Sequence, residues 1–273
     1  MGVAYAAGGE DNIGGAILHH VEDARKIEIW PPDIYIPLPP EGSIELLGID
    51  FTPTKHLIVM WVACLILILI FRQAFKKPSA VPSGMANAFE AIVVFLRDEV
   101  IVPAMGEDGK RYLPYLLSVF FFILTCNLIG LLPWSATATG NISVTAGLAL
   151  ISLFMVQLGG IREHGLVHHT MNLVPPGIPF WLLPIMIPVE FLGQLTKPFA
   201  LCIRLFANMT AGHLVILSFL ALIFVMKTFV IAPVAVGFAL FINILEVFIA
   251  FLQAYIFTML TSLFMGMSIH PEH

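Results

Sequence analysis

Charge is what this sequence has least of. Lysine and arginine number 13 and aspartate and glutamate 18 in 273 residues, 11% together, against about 25% in an ordinary soluble domain. With 59% hydrophobic residues and a mean hydropathy of +0.94, the chain reads as an integral membrane protein. A net charge of −5 provides no basic surface suited to nucleic acid. Cysteine is scarce too: Cys64, Cys126 and Cys202 stand alone in apolar runs, which excludes a disulfide framework or a CxxC site and leaves them as small packing residues. No Gly-rich loop ending in GK[ST] occurs, so the chain carries no nucleotide site, and nothing in it calls for a cofactor or metal. The start, MGVAYAAGGEDNIGG, lacks the basic beginning and long apolar core of a signal peptide.

What is present is a series of long apolar runs. Residues 1–50 are expected to form an extramembrane N-terminal segment, acidic and proline-rich (WPPDIYIPLPP), with a hairpin around Glu41 and Gly42. Residues 51–273 are expected to form one all-α polytopic membrane domain. A first span covers about 54–72, with Lys55 and Arg72 able to snorkel at its ends. The basic cluster RQAFKK follows and places that end in the cytoplasm, leaving the N-terminus outside. Over about 84–103, Phe89, Ile92, Val93, Leu96 and Val100 fall on one face and Asn87, Glu90, Arg97 and Asp98 on the other, the pattern of a helix lying along the cytoplasmic interface. Between Tyr112 and Ile161 there is no charged residue or histidine, and the turn-rich PWSATATGN divides the run into spans of about 112–134 and 142–161.

Two long helices are expected at about 180–227 and 231–267, preceded by the proline-rich HHTMNLVPPGIPFWLLPIMIP. The second would be roughly 55 Å long, against a hydrocarbon thickness of about 30 Å. Unless broken, it must tilt steeply, so the pair reads as an inclined helical hairpin.

These two helices hold Glu190, Gln194, Lys197, Arg204, Asn208, His213, Asn243, Glu246 and Gln253. An arginine at mid-membrane costs about 2.5–3.5 kcal/mol on insertion scales and cannot discharge itself. It therefore needs a partner or water, and a structural ion pair with Glu246 is one solution. Its helical neighbours suggest another, because Ala200, Ala207 and Ala211 share its face and let a second helix come close. His213 lies nine residues on, about 13 Å along the helix and half a turn around it. Glu246 and Gln253 share one face of the last helix. A histidine and a carboxylate on adjacent helices, with amides that bind water, suit a proton relay.

The run LTKPFALCIRLFANMTAGH, followed by LEVFIAFLQAYIFTMLTSLF, resembles the a subunit (subunit 6) of the F-type ATP synthase membrane sector. CNLIGLLPW and NISVTAGLAL extend the resemblance over roughly residues 50–269. It implies a non-catalytic, proton-translocating stator with two offset aqueous half-channels, in the bacterial inner membrane, with a cytoplasmic C-terminus. Arg204 matches the essential arginine that meets each carboxylate of the rotating c ring. Asn208 and Gln253 match polar positions beside it, His213 and Glu246 the histidine and acid of the outer half-channel, and Glu190 an acidic position of the inner one. The implied partners are the c ring, the peripheral-stalk b subunits, the rest of the ATP synthase and membrane lipid. Gly130 stands where some relatives carry an acid.

Two other classes compete. His164, His168 and His169 form an HxxxHH pattern resembling one histidine box of membrane di-iron desaturases, but no second box appears and His19-His20 falls on the opposite expected side. A secondary transporter also keeps ionisable groups at mid-membrane. It would show two related halves, and no internal repeat is found here.

Overall fold

Apolar runs this long leave the backbone one way to satisfy its own N–H and C=O groups without water, which is to coil into helices. The computed structural model describes residues 26–29, 34–37, 45–46, 49–50, 54–76, 83–132, 137–166, 182–226 and 231–270. Among these, five helical stretches are long and apolar enough to cross a membrane. The protein is a polytopic helical membrane protein.

Four short strands precede the helices. Strand β1 (Lys26–Ile29) pairs antiparallel with β2 (Ile34–Pro37), and β3 (Glu45–Leu46) with β4 (Ile49–Asp50). The turn expected at Glu41 and Gly42 lies outside the described residues.

Helix α1 spans Lys55–Ala74 and α2 Met85–Phe95. The interfacial helix expected over 84–103 does not stay a plain α-helix. Beyond α2 the path widens into a π-helical turn, Leu96–Ile101, and a short helical turn, Val102–Met105, with Pro103 near its start. It then breaks at Gly106, whose φ of 66° suits a residue without a β-carbon. Helix α3 (Gly109–Gly130) follows directly, then α4 (Ile142–His164), α5 (Leu183–Met226) and α6 (Ala232–Ile269). At 44 and 38 residues, α5 and α6 are about 66 and 57 Å long, roughly twice the hydrocarbon thickness.

The chain divides into two compact units. One comprises Met1–Ile66, Leu124–Asn141 and Leu205–Phe251. Here α5 and α6 run antiparallel, since Phe219 stacks on Phe238 at 5.4 Å while Gly212 meets Glu246. The end of α3 is tied in by side chains: the Asn127 amide donates to the Ala250 carbonyl (3.4 Å) and accepts from the Thr139 hydroxyl (2.7 Å).

The other unit comprises Leu67–Ile123, Ile142–Arg204 and Leu252–His273. Phe71 at the end of α1 contacts Phe89 and Phe121, with ring centroids 5.0 Å apart in each pair. Helices α4 and α6 are joined by Ser152 to Thr261 (2.8 Å) and by the Ser268 hydroxyl to the Val156 carbonyl (3.0 Å). His164 Nε2 lies 2.8 Å from the carbonyl of Ile269 and so caps the end of α6. Ion pairs of Arg111 with Glu163 (3.6 Å) and His270 with Asp108 (3.1 Å) gather at the same end.

Candidate functional site

Helix α5 carries the arginine, and its sequence sorts its faces. Leu201, Cys202, Leu205 and Met209 are buried, with Cys202 Sγ 3.4 Å from Thr145 Oγ1 of α4. Ala200, Ile203, Ala207, Asn208 and Ala211 are exposed, and Arg204 is half-buried at the edge of that row. Further toward the start of the helix the exposed residues are large: Ile185, Val189, Phe191, Leu192, Leu195 and Phe199. Around the arginine the exposed face carries three alanines and Asn208, with Ile203 the one large residue among them.

Pro198 lies inside α5 and cannot donate to the carbonyl four residues earlier, that of Gln194. The Gln194 side chain is held separately, accepting from Gln157 Nε2 at 2.6 Å. One turn on, the Lys197 ammonium sits over the Phe264 ring, 5.1 Å from its centroid.

Glu246 is 5% exposed, on the α6 seam that also buries Ala235, Ala239 and Ala250. Its position depends on a glycine. An ideal β-carbon on Gly212 would lie 2.8 Å from Glu246 Cδ, well inside the usual contact distance. His213 follows Gly212 in the chain and is half-buried. Among the described residues Glu246 Oε2 has no hydrogen-bond partner, and no ion pair involves this carboxylate.

The six residues singled out in the sequence are thus distributed between the units: Asn208, His213 and Glu246 in the first, Glu190, Arg204 and Gln253 in the second. Glu190 is 14 residues before Arg204 on α5, about 21 Å along the axis. Gln253 is 2% exposed, two turns along α6 from Glu246.

Sequence reasoning missed Gly212, Asn127 and Thr139. The signal for Gly212 was its place beside His213 in a run of small residues. Asn127 lies in CNLIGLLPW, which was noted for Gly130 instead. That glycine also has a steric explanation: a β-carbon there would lie 2.6 Å from Thr137 Cγ2 and 2.8 Å from its hydroxyl, so no acid fits without rebuilding the turn.

His164 of the histidine pattern caps α6, and no group of three or more potential metal ligands occurs among the described residues. His168 and His169 lie outside them.

Comparison with known proteins identifies the fold's family. The family model described as ATP synthase A chain matches residues 57–266. The ATP synthase subunit a of Chloroherpeton thalassium is 50% identical over 263 residues, covering 94% of this chain and 77% of that protein. That of Pelodictyon phaeoclathratiforme is 45% identical, covering 99% and 81%, and that of Anaeromyxobacter dehalogenans 46%, covering 96% and 72%. The chain belongs to the ATP synthase subunit a family. The matched region contains all five apolar helices nearly complete and every candidate residue from Glu190 to Gln253.

Proposed function

We propose that this chain is the proton-conducting stator of an F-type ATP synthase, non-catalytic itself, that couples proton flow to rotation of a c ring. The observation that carries this is the small, outward row Ala200, Ala207, Asn208 and Ala211 beside half-buried Arg204. Lipid tails fill space against bulky side chains as readily as small ones, so a local change to alanine favours close approach of another helix. An arginine at the edge of such a row offers a fixed cation to a carboxylate carried by that helix. The cation stabilises the ionised form as the carboxylate passes and releases its proton.

Glu246, buried against Gly212 and adjacent in the fold to the His213 backbone, supports an outer path in which carboxyl and imidazole hand protons inward. Asn208 and Gln253 supply amide groups beside Arg204. Glu190, half-buried and about four turns before the arginine, supports an inner path offset from the outer one. The same reading assigns peripheral-stalk b subunits, the rest of the ATP synthase and lipid as partners. It puts residues 51–273 in the bacterial inner membrane, the N-terminal segment outside and the C-terminus in the cytoplasm.

The test is ATP-driven proton pumping and passive leak in inverted vesicles carrying the whole complex with Arg204→Ala. Loss of coupled pumping while the soluble sector still hydrolyses ATP is expected. Normal pumping by the variant would reduce Arg204 to a structural role and overturn the proposal.

A further inference from the structure

Glu190, Lys197 and Arg204 follow one another on α5 at intervals of seven residues. Seven residues make nearly two turns, so the three charges line one face, about 10 Å apart along the axis and drifting by about 20° at each step. All three are half-buried. Lys197 also precedes Ala200 by three residues as Arg204 precedes Ala207, so the two cations stand at the same edge of the exposed alanine row. The reading above gives Glu190 and Arg204 roles, and Lys197 between them has none.

The Lys197 stem runs across to α6, where its ammonium lies 5.1 Å from the centroid of the Phe264 ring, within the roughly 6 Å over which a ring face attracts a cation. An aromatic face holds a cation without cancelling its charge, and among the described residues no ion pair involves Lys197. The surrounding helices are fastened together. Three residues before Lys197, the Gln194 side chain accepts from Gln157 of α4. The carbonyl beside Gln157, that of Val156, accepts from Ser268 of α6, one turn past Phe264. Helices α4, α5 and α6 thus meet around this ammonium and fix its place. The other ionisable groups of the neighbouring helices are engaged or exposed: Glu163 pairs with Arg111, His164 bonds the Ile269 carbonyl, His270 pairs with Asp108, and Arg162 is exposed at the end of α4.

We propose that Lys197 is a second fixed cation, serving the inner path: it weakens the hold of a passing ring carboxylate on its proton and so favours release of that proton on the cytoplasmic side. The inference rests on the reading that a ring carboxylate meets Arg204. From that meeting place Lys197 is about 10 Å along the helix, and a unit charge at that distance in protein surroundings shifts an acid by about one pH unit. The proton goes from the carboxyl group to the inner path, and the ammonium keeps its own protons throughout.

ATP-driven proton pumping by inverted vesicles carrying the whole complex tests it, with initial rates measured across medium pH and divided by ATP hydrolysis of the detached soluble sector at the same pH. The inner path opens to the medium there, so pumping falls on the alkaline side as the carboxylate fails to take up a proton. Lys197→Met keeps a long apolar stem against Phe264 and removes the charge. Its carboxylate partner then binds protons more tightly, and the alkaline limb is expected to move up by about one pH unit, while Lys197→Arg leaves the limb in place. A methionine profile coincident with the unaltered one would overturn the inference, as would an arginine profile displaced equally far. Lys197→Gln is made alongside, and whichever neutral variant assembles decides; assembly of the arginine variant alone would make the charge structural and overturn the inference too. Normal pumping by Arg204→Ala would overturn both readings, whereas lost pumping there with unshifted Lys197 profiles would overturn this one alone.

Discussion

Replacing Gly212 with alanine tests how α5 and Glu246 are fitted together. The new β-carbon would stand 2.8 Å from Glu246 Cδ and 3.1 Å from its Cγ, where carbon atoms in contact keep about 3.5–4.0 Å. Glu246 Oε1 would be closer still, so the side chain must retreat by more than about 1 Å within a seam that is already buried. Forcing an extra carbon into a packed site costs about 1–3 kcal/mol, while alanine improves helix propensity over glycine by about 1 kcal/mol. The net expectation is a loss of up to about 2 kcal/mol, and if it falls on the pumping-competent arrangement the rate drops by as much as about thirtyfold. Two assays separate the parts of this argument. Thermal unfolding of the purified complex reads the packing alone, and ATP-driven pumping in vesicles reads the placement of the carboxylate. Glu246→Asp removes one methylene and withdraws the carboxylate, so the double variant should recover stability, with a coupling of about 1 kcal/mol. A Gly212→Ala complex with unaltered unfolding and unaltered pumping would refute the close approach and the role built on it.

Gly130→Asp should fail to assemble, because it adds a side chain where Thr137 leaves no room and buries a charge as well; Thr137→Ala should rescue Gly130→Ala but not the aspartate, read by the amount of complex in the membrane. Asn127→Leu should destabilise by about 1–3 kcal/mol, since the buried Thr139 hydroxyl loses its acceptor, and Thr139→Val made with it should return part of that loss in thermal unfolding. His164→Ala uncaps the carbonyl of Ile269 and should cost about 1 kcal/mol, seen as faster proteolysis at the C-terminal end of α6 with little change in pumping. Exchanging His213 and Glu246 should pump better than either single replacement if the two cooperate, and an exchange no better than the singles would count against a shared path.

Much of the helical plan was legible because lipid imposes it. A chain with so few charges has to satisfy its backbone internally, and the uncharged runs mark where. Breaks inside helical segments were harder to read. The widening at Leu96–Ile101 leaves no mark in an amphipathic pattern, whereas Gly106 was visible as a glycine but not as a residue at positive φ. The short strand pairs Lys26–Ile29 with Ile34–Pro37 and Glu45–Leu46 with Ile49–Asp50 were obscured by competing Gly and Pro signals nearby, all of which favour turns. For the candidate site, periodicity placed Ala200, Ala207 and Ala211 beside Arg204, and those positions are exposed in the structure. Partners across the bundle had no such signal. Nothing local says that Gly212 faces Glu246, or that Asn127 reaches a carbonyl 123 residues away.

Those long-range partners follow one physical logic. Between lipid-exposed helices the hydrophobic effect gives little reason to associate, since acyl chains are as apolar as leucine. What remains is close backbone approach and polar bonding, and this chain uses both where helices meet. Gly159 and Gly266 let α4 and the Val102–Met105 turn come against α6 and its end, with a β-carbon at Gly266 colliding with the Ala104 carbonyl. Ser152 with Thr261, Gln157 with Gln194, and Ser268 with Val156 then join neighbouring helices. Each such bond is worth only about 0.6 kcal/mol on average, so no single one holds the bundle. Arg204 and Glu246 stand apart from that pattern. One lies at the edge of a row whose small residues are exposed among the described residues, and the other is buried with an oxygen that bonds to nothing in the described chain. A bundle optimised for its own association would have no use for either group, which is the physical reason to look for their roles outside it, in a partner and in a moving proton.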